Sequence, residues 1–229
     1  AKEKIYRLPM EDIPWDECRF LKTMYSRKDT FQILTIARAH FPFKAYMKGL
    51  IEDFTILKKR YGQIKLMIVS YGADIGEVKK WIDEANKNGA SDIELIGEMR
   101  YDQLEEFYEK ANLYVGMGTA LLDAAKYGVI SLNALMYSYE LKTTGFFHEF
   151  PYLLEAEEDC QEALEKIREV ICFTDDEYEK YARDSRRLAQ KNYSIESFLK
   201  RILSQKKEVD HKIPFVMRKI IKLIKYPIE

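Results

Sequence analysis

Several things are scarce in this 229-residue sequence, and each scarcity removes a class of function. Cysteine occurs three times (Cys18, Cys160 and Cys172), at scattered positions and with no Cys-x-x-Cys. That excludes a disulfide framework and points to a reducing, cytoplasmic compartment. His40, His148 and His211 lie far apart, so no histidine or cysteine cluster has metal-ligand spacing, and no metal is expected. No run of 18 apolar residues is present, which leaves no membrane-spanning helix. Ala1-Lys2-Glu3-Lys4 leads into no signal-like stretch. Excess charge of one sign is missing too: 37 Lys and Arg against 38 Asp and Glu give a net charge of −1. Such a balance offers no global attraction to nucleic acid. Internal repeats, low-complexity tracts and Asp-x-Asp are likewise absent.

Core material is plentiful, with 47% hydrophobic residues, 16 tyrosines and 12 phenylalanines. Short apolar runs alternate with helical patterns. Strands are predicted at Phe31–Ala37, Ile64–Val69, Ile93–Ile96, Asn112–Val115 and Val129–Leu132, with a last one near Phe150–Leu154. Helices are predicted between them at Lys44–Arg60, from an Asp74 cap to Asn88-Gly89, at Asp102–Lys110, and at Thr119–Tyr127 with Gly128 as its stop. Strands alternating with helices imply βαβ units, hence an α/β, Rossmann-like, doubly wound parallel sheet of about six strands. From Asp159 the pattern is helical only: Cys160–Cys172, Asp175–Asn192, and Ile195–Leu203 after a Ser194 cap.

This divides the chain into a linker segment (1–30), a Rossmann-like domain (31–205) and a basic amphipathic helix (206–229). Pro9 and Pro14 break any long helix in the first part, and Ile5, Leu8, Met10 and Trp15 are expected to pack on the domain. In the last, Arg218, Lys219, Lys222 and Lys225 share one face. That helix either packs back with its lysines in water or lies on an anionic membrane surface through 212–226.

Ligands of an open parallel sheet sit beyond the carboxyl ends of its strands. Three such ends carry chemistry. Arg38 ends the first strand and Lys44 opens the next helix, a pair of cations suited to a diphosphate. Gly116-Met117-Gly118-Thr119 runs a strand straight into a helix whose exposed N–H groups attract anions. Asp123 lies one turn into that helix, where a carboxylate can accept ribose hydroxyls. Each has a plainer reading taken alone: solvated strand ends, a tight turn, an acid near a helix N-terminus.

Taken together, Ile33 to Glu149 resembles the C-terminal, donor-binding domain of GT-B glycosyltransferases, most closely the large retaining group 1 family. The residues that carry the likeness are Ala37-Arg38…Lys44, Ile64–Gly72, Ile93-Glu-Leu-Ile-Gly97-Glu with Leu104…Asn112, and Gly116–Ile130. The resemblance implies a nucleotide-diphosphate sugar as donor, with no cofactor and no metal. It implies that Arg38 and Lys44 stabilise the leaving diphosphate, with Lys48 competing for the place of Lys44. Gly116, Gly118 and Thr119 would donate to the phosphate or sugar. Independently of the resemblance, His148 stands in a loop after Gly145 near the presumed crevice, where it is a candidate to touch the sugar. Asp123 takes the place of the second glutamate of the family's Glu-x7-Glu motif, the one that holds the ribose, while Val115 stands where the first would be.

The function implied is transfer of a sugar to a surface-polysaccharide or lipid-linked acceptor. Its expected partner is an N-terminal acceptor domain, since nothing before Phe31 is long enough to be one; the isolated chain is expected to be inactive. The enzyme would be cytoplasmic, peripheral to the inner face of a membrane if the basic helix binds one. Val115 suggests a second reading, a non-catalytic nucleotide-sugar-binding module. A receiver-like interaction domain ranks last, because Ala37, Ser70 and Val115 supply no carboxylate cluster at the strand ends.

Overall fold

The computed structural model describes residues 13–150 and 160–205. Strands β1 (Phe31–Arg38), β2 (Ile64–Tyr71), β3 (Ile93–Ile96), β4 (Leu113–Gly116) and β5 (Ile130–Asn133) pair in parallel in the order β3-β2-β1-β4-β5. Helices α1 (Glu17–Ser26), α2 (Tyr46–Tyr61), α3 (Ile75–Lys87), α4 (Glu105–Lys110) and α5 (Thr119–Lys126) precede and connect them. Alternation along each strand divides the core between the two faces of the sheet. Ile33, Leu66, Ile68, Leu113 and Val115 belong to one cluster with α2 and α3. Leu34, Met67, Val69 and Tyr114 belong to the other with α4 and α5. The fold is therefore a Rossmann-like, helix-covered α/β sheet of the kind that the alternation of patterns implies, with these five strands parallel.

The sixth strand differs from expectation. Phe150 lies in a bend, and residues 151–154 are outside the described residues. The edge beyond β5 is filled instead by two-residue strand β7 (Gly145–Phe146), which runs antiparallel. Two residues carry no periodicity, which is why the pattern did not mark them. A separate ribbon pairs β6 (Lys142–Thr143) with β8 (Gln161–Glu162). The helix expected over Asp102–Lys110 divides into a 3-10 turn at Tyr101–Gln103 and α4.

Helices α6 (Ala163–Ile171), α7 (Asp175–Tyr193) and α8 (Ile195–Gln205) follow, the first starting three residues later than expected because Gln161 and Glu162 pair as β8; Ser194 Oγ accepts from Ser197 N at 3.1 Å as the cap of α8. Thr174 caps α7 in a reciprocal pair with Glu177. The linker expected before Phe31 contains helix α1, begun by Asp16, whose carboxylate accepts from Arg19 N at 2.9 Å. It buries Phe20 and Met24 and is tied to α7 by Arg27 and Lys28 on Asp175 (2.6 and 2.7 Å). Trp15 is half-buried against Gly128, as expected; Ile5, Leu8, Met10 and the whole basic helix 206–229 lie outside the described residues.

One close approach sets the cleft described below. The loop that follows β5 crosses α2 at Gly49, where a Cβ would overlap the backbone of Glu140 and Leu141. Earlier in that loop, Tyr137 N donates to Phe43 O at 3.2 Å, tying it to the segment between β1 and α2.

Candidate functional site

An open cleft of about 530 Å3 lies at the carboxyl ends of β1, β2 and β4. Its walls come from four connections. After β1 come Arg38, Phe43 and Lys44; after β2, Tyr71; after β3, Met99, Tyr101 and Leu104; after β4, Met117, Gly118 and Thr119. Arg38 and Lys44 are the charged residues among the lining, and no carboxylate is among them. The two cations and the mouth of α5 thus share one cavity.

Each of these positions has a local cause. Arg38 and Tyr71 are register partners at the ends of β1 and β2. The exposed guanidinium donates to the Tyr71 hydroxyl at 3.2 Å and lies 5.2 Å from its ring centre, a contact that holds its pKa above the ordinary value. Gly72 permits this: at φ +127° its missing Cβ would meet Ala39 O at 2.6 Å and the Arg38 side chain at 3.0 Å. The loop after β1 is closed from behind by Asp74. That residue stands at the N-terminus of α3, but its carboxylate accepts from Phe41 N at 2.8 Å and does not cap the helix. A tight turn, Lys44 N to His40 O at 2.9 Å, then brings Lys44 back over the strand ends. Lys44 Nζ lies 5.1 Å from the Phe43 ring centre, and burial lowers its pKa to about 8.

On the other side Gly118 precedes α5 with φ +74°, ψ −148°, a conformation natural only to glycine, and a Cβ there would meet open space. The first N–H groups of α5 have no partner within the helix and open onto the cleft beside exposed Thr119.

Four expected site residues fall elsewhere. Lys48 is one turn along α2, pairs with Glu52 at 2.7 Å, and lines a groove between α2 and α3; the second cation of the cleft is Lys44. Gly116 is buried, and the space of its Cβ is taken by the Tyr114 ring, so this glycine serves packing. Asp123 is 4% exposed, and its Oδ1 accepts from the Tyr101 hydroxyl at 3.0 Å and from Lys126 Nζ at 3.1 Å. His148 packs between Phe146 and Tyr181, with its Nδ1 3.4 Å from Ser185 Oγ; burial lowers its pKa, and it does not line the cleft. Val115 is fully buried between sheet and helices.

Among the lining residues that were not anticipated are Phe43, Tyr71, Met99 and Tyr101. Tyr71 had a readable signal, being the last residue of the strand that pairs in register with the strand ending at Arg38.

No family model and no curated protein matches the sequence. Solved structures do. S. aureus TarM, crystallised with UDP, superposes with a TM-score of 0.58 at 19% identity over 88% of this chain and 37% of its own. Anabaena HepE, in complex with UDP and glucose, gives 0.59 at 14% identity over 90% of this chain and 57% of its own. The C-terminal domain of LpcC, a glycosyl transferase group 1 family protein from Francisella tularensis, gives 0.58 at 16% identity over 82% and 96%. The fold is that of a GT-B glycosyltransferase domain. This chain spans well under half of TarM and almost the whole of the LpcC domain. Among the described residues no helix is long and apolar enough to cross a membrane, and no group of three or more His, Cys, Asp or Glu gathers as metal ligands would.

Proposed function

We propose that this chain is the donor-binding domain of a glycosyltransferase and that the cleft takes a nucleoside-diphosphate sugar. The observation that carries this reading is the convergence of Arg38, Lys44 and the mouth of α5 on one cavity with no acid in its lining. A diphosphate brings two or more negative charges, which two cations and the partial positive charge of a helix N-terminus neutralise. The fold supports the reading, as does the presence of UDP in the TarM and HepE structures.

In the reaction, the bond from the anomeric carbon to the diphosphate oxygen breaks as that carbon bonds to an acceptor hydroxyl oxygen, whose proton passes to the departing diphosphate; the developing charge is taken up by the Arg38 and Lys44 side chains and the α5 amides. Such a site works without a metal. The acceptor is a surface polysaccharide or a lipid-linked glycan, supplied through an N-terminal domain, and the enzyme acts in the cytoplasm. Isothermal calorimetry with UDP, GDP and ADP tests the central step. Binding by the wild type that is lost in Arg38→Ala upholds it; a folded protein that binds none of the three overturns it.

A second reading, a nucleotide-sugar-binding module without catalysis, is favoured by two observations. Val115 stands fully buried where the family places a glutamate, and Asp123 is already engaged by Lys126 and Tyr101. Turnover of a UDP-sugar by this domain joined to an acceptor domain excludes it. A receiver-like role is disfavoured by the acid-free lining.

A further inference from the structure

The Asp123–Lys126 pair is unusual for its place. Both side chains sit on one helix, three residues apart, and are only 6% and 5% exposed. Burying two charges is costly, and a pair of this kind contributes little to stability, so its presence calls for another use. The use is visible at its outer side. The Tyr101 hydroxyl reaches in from the connection after β3 and donates to Asp123 Oδ1, the same oxygen that holds Lys126. Tyr101 as a whole is 66% exposed and lines the cleft with Met99 and Leu104. A solvent-exposed tyrosine ordinarily samples several rotamers, whereas this one is anchored at its far end on a buried charged acceptor. The base of the anchor is itself fixed, because Arg186 of α7 donates to the Lys126 carbonyl.

The cleft therefore has two chemically distinct walls: cations on the β1 side, and a pinned aromatic ring with two apolar neighbours on the β3 side. A nucleoside diphosphate has the matching halves. We infer that Asp123 and Lys126 are positioning residues that hold Tyr101 as a stacking platform for the nucleobase, so that Asp123 acts through Tyr101 and not as a direct ligand of the ribose. The inference rests on the nucleotide-binding reading above and adds which wall takes the base.

Calorimetry on the full chain separates the two. UDP and inorganic pyrophosphate are titrated into the wild type, Tyr101→Ala, Tyr101→Phe and the double variant D123N/K126M. Folding of each is checked by thermal melting. Loss of the ring is expected to weaken UDP by about 5- to 100-fold, the range of single base–aromatic stacks, and to leave pyrophosphate unchanged. Tyr101→Phe keeps the ring but loses its anchor and is expected to fall between. D123N/K126M removes both charges of the anchor and is expected to weaken UDP about as much as Tyr101→Phe does while leaving pyrophosphate unchanged; wild-type UDP affinity in this variant overturns the positioning role. Equal UDP affinity in wild type and Tyr101→Ala overturns the platform, and equal affinity in wild type and Tyr101→Phe overturns the anchoring. A folded wild type that binds neither ligand overturns the nucleotide reading itself, a result distinct from both.

Discussion

The β1 side of the cleft and the α5 side hold their ionisable groups in opposite conditions. Arg38 and Lys44 face the cavity without any acid in the lining, and Lys44 is deprived enough of water for its pKa to drop to about 8. Across from them Asp123 is sealed beneath the surface with Lys126 as counterion, and Val115 lies deeper still. One side is prepared for an anion that has yet to arrive; the other has satisfied its charge internally. The difference teaches that a site residue is defined by what its neighbours leave unpaired. Matching the position of a family's acid does not suffice when a lysine three residues on already occupies it.

The most severe way to break this contrast is Val115→Glu. It places a carboxylate among the core residues of the sheet and is expected to cost about 4 kcal/mol or more, read as a lowered denaturation midpoint in urea. A variant that keeps wild-type stability and gains sugar transfer would show the α5 side to be open to the cleft and not sealed. Next in size, Arg38→Ala is expected to weaken UDP by about 10- to 100-fold through loss of a charge-assisted contact. Its melting temperature should hardly move, because the side chain is exposed.

Lys44 supplies a subtler test. Its folded pKa lies below its ordinary value of 10.5, so the free protein binds fewer protons than the unfolded chain between about pH 8 and 10.5 and gains stability as pH rises through that window. A bound diphosphate favours the ammonium form. UDP affinity is therefore expected to fall a few-fold as pH climbs from about 7 to 9. Titrations at pH 8.5 in buffers of different ionisation heat should show proton uptake in the wild type and none in Lys44→Met. Smallest of all, Lys48→Ala is expected to leave UDP affinity within about twofold and stability within about 0.5 kcal/mol, since its ion pair with Glu52 is exposed and serves the other face of α2. A large loss there would move the second cation from 44 to 48.

The order of elements was legible because apolar alternation survives without knowledge of contacts: β1 to β5 and α2 to α7 stand within a few residues of where the pattern puts them. Arg38, Lys44, Gly118 and Thr119 were legible for a related reason, since strand ends and helix starts in a parallel sheet fall on the same side. Side-chain direction was not. Asp123 and Thr119 are one turn apart on α5, yet one is buried and one exposed, and only the position of Tyr101 and Lys126 decides which. His148 was misplaced because a two-residue antiparallel strand turned it toward α7. Helix α1 escaped notice because it offers the core only Phe20 and Met24; the Asp16 cap before them was its one sequence signal.

The crossing at Gly49 has a consequence for the cleft that involves no charge at all. Because two stretches of main chain touch there, a single methyl group at residue 49 would have to lift the loop over α2. That loop is tethered through Tyr137 to the carbonyl of Phe43, next door to Lys44. A Gly49→Ala change is thus expected to shift the ammonium group by leverage, making this buried crossing on α2 a place from which the grip on a ligand can be loosened without altering any residue in the cavity.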